Sequence, residues 1–488
     1  MEKYKKVRRE DYKKWYLEHE EYREEVRADK SRLTFHLMPE TGWLNDPNGL
    51  CQFKGLYHIY YQYTPFEPTG EIKLWGHYIT EDFVHYKREQ PVLYPDQDMD
   101  AHGVYSGSAY VEDGIIHYFY TGNVKLFDRD DYDYITSGRV SNTIHCTSRD
   151  GCHLSDKELV LGPEDYPEDM SCHIRDPKIY RDGDTYYMVL GARDRRSKGM
   201  VLVYKSRDLE KWEYFNRITT EEPFGYMWEC PDLFRLDGQL CLICCPQGVK
   251  PRGIDYANVH QCTVFCLDYD FDANKYRLAE EDSPRMVDRG FDFYAPQTFQ
   301  DEKGRRILIG WMGIPDADYT NPTVDAGWQH ALTMPRVLHM KEGRLIQQPM
   351  EEMEALRWDR KDYGAEELGQ GVKPGLVFEG CFTFHECAHM RLSLREGVSL
   401  IYENGVLTLD LGSCGAGRTC RSVSLTALRD LRVFSDTTSL EVFVNGGEEV
   451  FTTRVYGSGD GMKLTGACRA EAAVYGLTGF VYEFSNTL

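Results

Sequence analysis

No stretch of this sequence approaches the about 20 consecutive apolar residues that a membrane-spanning helix needs. The first thirty residues carry charges throughout and lack the apolar core of a signal peptide. The 15 cysteines are an odd number, scattered without the regular spacing of a disulfide framework, and this favours reduced thiols. These absences together predict a cytoplasmic protein.

Basic residues are outnumbered: 57 Lys and Arg stand against 79 Asp and Glu, for a net charge of −22. That charge argues against nucleic acids and anionic membranes as partners. The 34 tyrosines and 8 tryptophans are numerous, and aromatic faces can stack on sugars, although they also fill β cores. We therefore expect a small-molecule sugar substrate, no nucleic acid and no membrane partner, while the oligomeric state stays unknown.

The sequence also lacks the spacings of metal sites. None of the 15 histidines stands in a metal-binding spacing. The run Cys241-Leu242-Ile243-Cys244-Cys245 lies in an apolar segment without a second cysteine pair, so we expect buried thiols rather than zinc ligands. The acidic run at residues 128–133 lacks the glycine and the distal glutamate of a calcium loop, which favours a solvated loop. We expect neither a metal nor another cofactor.

What the chain does contain is a short pattern that recurs five times in its first two-thirds. Each copy is an apolar strand, a glycine turn and a second apolar strand, and the turn glycines are 59, 69, 55 and 66 residues apart. A hairpin repeat of this length is typical of a β-propeller, in which equivalent positions of successive blades face one central channel. The copies begin at Asp46-Pro47, Ser106, Asp176-Pro177, Glu229-Cys230-Pro231 and Ala295-Pro296.

Three copies place an acidic residue at the same point of the pattern, namely Asp46, Asp176 and Glu229. In a propeller these carboxylates converge on one pocket. Hydrolysis of a glycosidic bond needs one carboxyl to protonate the leaving oxygen and another as base or nucleophile, and a third can stabilise positive charge on the sugar ring. The alternative is that these residues only begin strands and cap turns. Three in register, two of them preceded by Asn45 and Arg175, favour a catalytic site.

The length of 488 residues and the changes of pattern along the chain predict two domains. The fold class that we predict is all-β: a five-bladed β-propeller followed by a C-terminal β-sandwich. We place a helical extension at 1–30, the catalytic propeller at 31–345, a linker with a short helix at 346–368, and the sandwich at 369–488.

Seven blocks of the sequence are long enough to compare with known families. They are Trp43-Leu44-Asn45-Asp46-Pro47-Asn48-Gly49, Tyr105-Ser106-Gly107-Ser108-Ala109, Arg175-Asp176-Pro177, Trp228-Glu229-Cys230-Pro231-Asp232, residues 291–299, Gly310-Trp311-Met312 and residues 436–446. They closely resemble the signature blocks of glycoside hydrolase family 32, the invertases, fructanases and sucrose-6-phosphate hydrolases. The resemblance covers nearly all of the chain after residue 31.

The resemblance implies a five-bladed propeller with a sandwich, and retaining hydrolysis of a β-D-fructofuranoside. By motif position, Asp46 corresponds to the nucleophile, Glu229 to the general acid/base and Asp176 to the transition-state stabiliser. The substrate-binding residues expected on this basis are Asn45, Gln62, Trp75, Tyr105, Ser106, Arg175, Trp43, Tyr294 and Trp311. Tyr105 stands where the family more often has Phe, and Thr64 where it usually has Asn. For Trp43, Trp75, Trp228 and Trp311, packing in the core is an equal alternative to walling the pocket.

The sequence leaves the fructoside open among sucrose, sucrose 6-phosphate and short fructo-oligosaccharides. A phosphorylated sugar requires cations at the pocket rim. Two clusters could supply them, one after the hairpin of the third repeat and one after the fourth, and solvated loops are the alternative for both. The residues are Arg193, Arg195, Arg196 and Lys198 in the first cluster, and Lys250 and Arg252 in the second. Arg193 is included among the candidate substrate-binding residues.

Two other functions remain open from the sequence alone. One is a five-bladed glycosidase that acts on arabinosides or xylosides with inversion, and the other is a propeller that binds sugar without catalysis. The block at residues 43–49 argues against the first, and the presence of all three carboxylates argues against the second.

Overall fold

A computed structural model describes residues 6–484 of the chain. Strands form most of its regular structure, and the prediction of a β protein with propeller-like and sandwich-like parts is confirmed at that level. Within the described range no helix has the length and apolar character to cross a membrane. The helices are α1 (Arg9–Glu18), α2 (Glu20–Arg27) and α3 (Ala365–Gln370), and 3₁₀ turns occupy Asp98–Asp100, Pro163–Asp165, Pro322–Val324 and Glu351–Leu356.

Residues 42–349 fold into five antiparallel sheets in the described chain, each with four main strands that follow one another in sequence. The first sheet has β1 (Gly42–Phe53), β2 (Leu56–Thr64), β3 (Leu74–Thr80) and β4 (His85–Leu93); the second has β5 (Val104–Glu112), β6 (Ile115–Lys125), β7 (Arg139–Ser148) and β8 (Glu158–Leu161). The third has β9 (Met170–Asp182), β10 (Thr185–Asp194), β11 (Gly199–Ser206) and β12 (Glu213–Ile218).

The last two sheets carry short additional strands. The fourth has β13 (Met227–Leu236), β14 (Gln239–Gln247), β15 (Thr263–Asp270) and β16 (Lys275–Leu278), with β17 (Arg285–Met286) beside β15. The fifth has β18 (Tyr294–Gln300), β19 (Arg306–Met312), β22 (Arg336–Lys341) and β23 (Arg344–Pro349); between them in sequence, β20 (Trp328–Gln329) pairs with β1 and β21 (Ala331–Leu332) with β19.

The innermost strands of the sheets contact one another in a ring. β1 contacts β5, β5 contacts β9, β9 contacts β13, β13 contacts β18, and β18 contacts β1. Buried apolar side chains fill the space between neighbouring sheets, as Val189 and Val201 do against Leu242 and Phe265. This propeller-like arrangement brings the first strand of every sheet to a common axis.

Each innermost strand contains a bulge near its beginning. Its pairing with the next strand shifts register between residues 44 and 47, 104 and 107, 175 and 178, 229 and 232, and 294 and 297. Proline stands within or at the end of four of these bulges, where a missing N–H costs no ladder hydrogen bond. Because a bulge re-aims the side chains beside it, the five sequence repeats mark the places where the strands turn side chains towards the axis.

The C-terminal part forms a nine-stranded sheet that folds into a sandwich-like unit. Its long central strand pairs with the strand Lys463–Leu477 along most of its length, while its other edge pairs first with Asp430–Asp436 and then with Val398–Glu403. The strands are β24 (Arg357–Tyr363), β25 (Phe378–Arg395), which is the central one, β26 (Val398–Glu403), β27 (Val406–Asp410), β28 (Cys420–Ser424), β29 (Asp430–Asp436), β30 (Ser439–Val444), β31 (Glu449–Arg454) and β32 (Lys463–Leu477); β33 (Val481–Phe484) returns to pair with β4.

The segment that the sequence predicts as a linker, 346–368, contains regular structure. It holds the end of β23, the 3₁₀ turn at Glu351–Leu356, β24 and the start of α3. Because β24 pairs with β32, this segment contributes a strand to the sandwich-like sheet.

A buried histidine joins the two β units. The Nδ1 atom of His36 lies 2.8 Å from Asp436, and its Nε2 atom lies 3.0 Å from Glu441. Burial lowers the pKa of His36, but the hydrogen bonds to both carboxylates outweigh burial and raise it above the ordinary value. Arg336 binds the second oxygen of Glu441 at 2.7 Å. The block at residues 436–446 therefore attaches the sandwich to the propeller.

A second buried pair reinforces this attachment. Arg418 of the sandwich donates from Nε and Nη2 to the two oxygens of Asp292, each at 2.7 Å. Asp292 belongs to the block at residues 291–299, so that block serves the contact between the two units as well as the axis.

The N-terminal segment 1–30 contains α1 and α2, and its residues 1–5 lie outside the described range. Three arginines fasten the helices to the first sheet through the buried Glu40: Arg23 at 3.2 Å, Arg27 at 3.2 Å and Arg88 at 2.6 Å. Burial raises the pKa of Glu40, but these guanidinium groups outweigh burial and lower it.

Candidate active site

The bulges bring the three carboxylates to one end of the ring of inner strands. Asp46 lies at the bulge of β1, Asp176 at that of β9 and Glu229 at that of β13. The sulfur of Cys230 lies 3.6 Å from Asp46 Oδ2 and also 3.6 Å from Asp176 Oδ2. Asp176 and Cys230 have positive φ, 64° and 48°, which is the local distortion that turns them inward.

Asp46 is held at both oxygens. Asn45 Nδ2 donates to Oδ1 at 3.0 Å, and the Ser106 hydroxyl donates to Oδ2 in a short hydrogen bond. Burial raises the pKa of Asp46 above its ordinary value; the two hydrogen bonds act against this, and the charge of Glu229 adds to it. The carboxylate is therefore oriented, with its lone pairs partly engaged, and faces the pocket.

A chain of amides fixes these partners. Trp43 Nε1 donates to Asn45 Oδ1 at 2.8 Å, and Asn45 Nδ2 also donates to Gln62 Oε1 at 2.6 Å. Gln62 Nε2 in turn donates to the hydroxyl of Ser106. Because each donor in the chain has a defined acceptor, the side chains of Asn45 and Gln62 have one orientation each.

Asp176 is the most deeply buried of the three carboxylates, with 7% of its surface exposed. The backbone N–H of Cys230 donates to its Oδ2 at 2.9 Å, and its own N–H donates to Thr121 Oγ1 at 2.9 Å. Burial raises the pKa of Asp176 to about 7; Arg175 counteracts this, while Glu229 and Asp46 add to it.

Glu229 accepts four hydrogen bonds. Arg175 donates to Oε1 from Nε at 3.0 Å and from Nη2 at 2.6 Å. Oε2 accepts from Gln247 Nε2 at 2.8 Å and from the Tyr294 hydroxyl at 2.7 Å. The side chain is 15% exposed, so these donors fix a carboxyl group that still reaches the pocket.

Arg175 is itself oriented by a histidine. Its Nη1 atom donates to His173 Nδ1 at 3.0 Å, and His173 Nε2 faces the carbonyl oxygen of Tyr134 at 2.8 Å. His173 therefore carries its proton on Nε2. Burial and the neighbouring charge of Arg175 hold the pKa of His173 far below its ordinary value.

The four tryptophans divide into two classes. Trp43 is partly exposed and packs with His330 and Trp311, and Trp311, 3% exposed, also contacts Tyr294. Trp75 and Trp228 have no exposed surface. The indole N–H of Trp75 donates to the Tyr105 carbonyl at 3.2 Å, so the ring packs behind Tyr105, and the assignment of Trp75 to the substrate-binding residues stays a prediction. Trp228 likewise packs in the core.

Tyr105 is half-buried, and a buried lysine that sequence reasoning missed lies on the same side of the pocket. The ammonium of Lys73 lies 4.9 Å from the centre of the Trp43 ring and 3.3 Å from Thr64 Oγ1. Burial lowers the pKa of Lys73 to about 7, although Glu67 and Asp46 oppose this.

The cations that follow the third and fourth repeats occupy different places. Arg193 packs over the Tyr226 ring, 4.6 Å from its centre, and its charge contributes to lowering the pKa of His173. Arg195 donates to the Glu168 carbonyl, and Lys198 to the Glu221 carbonyl. Of this first cluster, Arg193 is the member whose charge acts on His173, the histidine that binds Arg175.

The second cluster is engaged elsewhere. Arg252 donates to the Asp282 carbonyl and packs against the rings of Phe224 and Tyr256, each 5.6 Å from its guanidinium. Lys250 is exposed.

Three further residues were missed by sequence reasoning: Cys230, Gln247 and Thr121. Cys230 directly follows Glu229 in the sequence, so its position beside the candidate acid could have been noted. Gln247 could have been predicted from the register of the hairpin around the turn at Asp237-Gly238, because Met227 pairs with Gln247 across it. Thr121 lies on β6 of the neighbouring sheet, and no local pattern connects it to Asp176.

This arrangement can perform glycosidic chemistry. Two carboxyl groups, one buried beside Ser106 and one held by Arg175, face the same space, and a third lies between them in the ring. Within residues 6–484, no group of three or more His, Cys, Asp or Glu side chains is arranged to hold a metal ion.

Comparison with protein families matches both parts of the chain. A family model described as Glycosyl hydrolases family 32 N-terminal domain matches residues 36–349, and one described as Glycosyl hydrolases family 32 C terminal matches residues 385–473.

Individual proteins are similar over nearly the whole chain. The sucrose-6-phosphate hydrolase of Bacillus subtilis (strain 168) is 38% identical over 448 residues, covering 88% of this chain and 90% of that protein. A solved structure of sucrose-6-phosphate hydrolase from Lactobacillus gasseri is similar with a TM-score of 0.87 at 26% identity, covering 97% of this chain and 100% of that one. A mutant of a Bombyx mori GH32 beta-fructofuranosidase, in complex with sucrose, gives a TM-score of 0.83 at 26% identity with the same coverage.

Proposed function

We propose that this chain, which belongs to glycosyl hydrolase family 32 and is a glycoside hydrolase, hydrolyses terminal β-D-fructofuranosides and releases fructose. Sucrose, sucrose 6-phosphate and short fructo-oligosaccharides are the candidate substrates, since the similar proteins are named for sucrose 6-phosphate or for β-fructofuranoside cleavage, and one of them is in complex with sucrose. The family membership leaves the inverting arabinosidase and the non-catalytic sugar-binding protein without support.

In the first step Asp46 acts as the nucleophile. One of its oxygens attacks the anomeric carbon of the fructosyl unit and forms an ester bond, while the bond to the leaving oxygen breaks and Glu229 gives that oxygen its proton. In the second step a water molecule gives a proton to Glu229, attacks the same carbon and releases Asp46. Two displacements at one carbon retain its configuration.

Asp176 stabilises the fructosyl unit in both transition states. A carboxylate beside the ring interacts with the positive charge that develops there, and it can accept hydrogen bonds from two sugar hydroxyls. Asn45, Gln62, Ser106 and Arg175 have polar atoms in the same network, and we assign them to the fructosyl pocket, with Tyr105 and Tyr294 at its wall. Trp43 and Trp311 form its aromatic side.

One observation carries this proposal: Asp46 and Asp176 both contact the sulfur of Cys230, the residue that directly follows Glu229. Three carboxyl groups from three sheets therefore lie close together around Cys230. Such an arrangement of like charges is costly to stability and is typical of catalytic sites.

The finer description of the fold belongs to the same proposal. We assign the five sheets to the five blades of one propeller, because their innermost strands contact in a ring. The proposed boundaries are 1–30 for the helical extension, 31–345 for the propeller and 369–488 for the sandwich; the connecting segment 346–368 adds β24 to the sandwich-like sheet. We also propose a cytoplasmic protein, since all 15 cysteines carry free thiols.

The test is the stereochemistry of the first product. Proton NMR of sucrose hydrolysis should show β-D-fructofuranose before mutarotation, and a first product of the α configuration would refute the double displacement. Asp46→Ala should lower kcat on the order of 10⁴-fold or more. Asp272→Ala, an exposed acid outside the pocket, is the matched control and should keep full activity.

Glu229 has its own test. Glu229→Ala should lose most activity on sucrose but keep much of the first step with a fructoside whose leaving group needs no proton. Equal loss on both substrates would remove Glu229 from the role of acid.

A further inference from the structure

Two cysteines of the fourth sheet lie directly opposite each other on neighbouring strands. Cys241 of β14 pairs with Cys266 of β15 in the antiparallel ladder. Side chains at directly paired positions point to the same face of a sheet, and the two thiols are hydrogen-bonded to each other. The pair lies near the turn that joins β13 to β14, at the opposite end of β13 from the bulge that carries Glu229.

The backbone hydrogen bonds place this pair at the closest type of position in the ladder. The N–H of Ala279, which directly follows β16, donates to the carbonyl of Cys266 at 2.8 Å, so the backbone polar groups of Cys266 face β16. Its pair with Cys241 is therefore a non-hydrogen-bonded one, in which the Cα atoms are about 4.5 Å apart. Because a disulfide needs Cα atoms about 4.4–6.8 Å apart, the two sulfur atoms can be joined without a shift of the strands.

The two thiols differ in their access to solvent and in their acidity. Cys266 is partly exposed and adjoins the exposed Ala279, whereas Cys241 has no exposed surface. The hydrogen bond from Cys241 lowers the pKa of the Cys266 thiol to about 7; burial acts against this, and the charge of Arg285 adds to it. The same hydrogen bond, together with burial, holds the pKa of Cys241 far above its ordinary value. A partly exposed thiolate beside a buried thiol is suited to attack an oxidant and then to be resolved.

Two further pairs of cysteines lack this combination. Cys245 and Cys262 are hydrogen-bonded to each other, but both are buried, and burial raises the pKa of each. Cys387 and Cys468 pair across β25 and β32 and are partly exposed, but register shifts interrupt the ladder on either side of Cys387, and burial raises both pKa values. Of these three pairs, only the one on β14 and β15 combines an uninterrupted register with an accessible, acidic thiol.

We propose that Cys266 and Cys241 form a dithiol site that hydrogen peroxide oxidises reversibly to a disulfide. The thiolate of Cys266 attacks one peroxide oxygen: a sulfur–oxygen bond forms, the oxygen–oxygen bond breaks, and the hydroxide that leaves takes up the proton that Cys266 has lost. The thiol of Cys241 then attacks the sulfenic sulfur, the disulfide bond forms, and the sulfenic oxygen leaves as water with the proton of Cys241.

The balance of the two steps is complete. Two thiols are oxidised to one disulfide, and one hydrogen peroxide is reduced to two water molecules. A dithiol reductant such as dithiothreitol restores both thiols by exchange. The site acts independently of the proposed hydrolysis, because neither step uses the three carboxylates.

The first experiment counts thiols in the full chain after exposure to hydrogen peroxide at about pH 7. The reduced protein, denatured for the titration, should show 15 thiols, and formation of the disulfide should remove two of them until dithiothreitol restores them. Cys266→Ser should lose thiols at least about 10-fold more slowly, because an ordinary thiol is ionised to only a few per cent at this pH. Cys262→Ala removes a thiol of the buried pair close by in the sequence and is the matched control; its rate should equal that of the unaltered protein.

Trapping of the sulfenic acid gives a second readout. Cys241→Ala lacks the resolving thiol, so Cys266 should react with dimedone after peroxide treatment and carry about tenfold more adduct than in the unaltered protein, as located by peptide mass spectrometry. The inference is overturned if the unaltered protein keeps all of its thiols, if Cys266→Ser loses them equally fast, or if the unaltered protein carries as much adduct as Cys241→Ala. Neither readout uses the release of fructose, so failure of this inference is distinguishable from failure of the proposed function.

Discussion

Arg175 holds Glu229 through two nitrogens on a single oxygen, Nε at 3.0 Å and Nη2 at 2.6 Å from Oε1. A planar guanidinium can make this pair of contacts and still present its third nitrogen to His173, whereas an ammonium cannot. The orientation of the proposed acid therefore depends on the shape of Arg175 as well as on its charge.

We predict that Arg175→Lys lowers kcat/KM on sucrose by about 10²-fold although it keeps the positive charge, because Glu229 loses its fixed orientation. Arg175→Met should cost more activity and also lower the melting temperature, since Glu229 then lacks a counter-charge. Steady-state kinetics and thermal melts measure both effects. Arg196→Lys is the control. Activity of Arg175→Lys equal to that of the unaltered enzyme would contradict the argument.

Ser106 should set the acidic limb of the pH profile. Its hydrogen bond favours the ionised form of Asp46 and so lowers the pKa of that carboxyl, against burial. The nucleophile must be ionised, so activity is lost as the pH falls through this pKa. Ser106→Ala should move the acidic limb of kcat/KM upward by about 0.5–1 pH unit.

The control for this prediction is on the same strand. Ser108 donates instead to the Pro177 carbonyl at 2.7 Å, so Ser108→Ala removes a buried hydroxyl without touching Asp46. Its acidic limb should stay in place. An unchanged limb in Ser106→Ala would show that the hydroxyl does not control the ionisation of Asp46.

The convergence of the carboxylates could be predicted from sequence because one residue type recurs at one point of a repeat. Asp46, Asp176 and Glu229 all mark the bulge of an inner strand, and the bulge needs local residues such as proline that a sequence displays. The catalytic roles of these residues stay predictions, since geometry alone does not assign them.

The location of Trp75 could not be predicted in this way. β3 is buried on both faces over nearly its whole length, so alternation of apolar and polar residues gives no inside or outside. Contacts between distant segments could not be predicted from the sequence either. His36 and Asp436 are 400 residues apart, and no local pattern around one indicates the other.

The buried His36 should make stability depend on pH. Its pKa is raised in the folded protein, so its contribution is fully present below the ordinary value of 6.5 and is lost as the pH rises through the raised value. His36→Ala should therefore lower the free energy of unfolding more at pH 6 than at pH 9, by about 3 kcal/mol at the lower pH, as for removal of one partner of a buried ion pair.

His85 provides the matched comparison. It lies 2.8 Å from Asp82 in an exposed pair, for which about 0–1 kcal/mol is expected at either pH. Equal effects of His36→Ala and His85→Ala in thermal or urea denaturation would mean that the contact between the two β units contributes little.

The buried carboxylate of Asp176 should lower the free energy of unfolding of the protein at neutral and alkaline pH. Its pKa is raised to about 7 by burial and by the neighbouring carboxylates, from 3.8 in the unfolded chain. Between these values the folded state binds the extra proton, so stability falls as the pH rises from about 4 to about 7.

Asp176→Asn removes the charge and keeps a side chain that tolerates the positive φ of 64°. It should abolish activity yet raise the free energy of unfolding at pH 8 by about 2–4 kcal/mol, with little gain at pH 4. Asp176→Ala, which also adds backbone strain of about 1 kcal/mol, should gain less. Thermal melts of the three proteins at both pH values measure this, and a variant Asp176→Asn that is no more stable than the unaltered protein at pH 8 would show that the clustered carboxylates are not a source of instability.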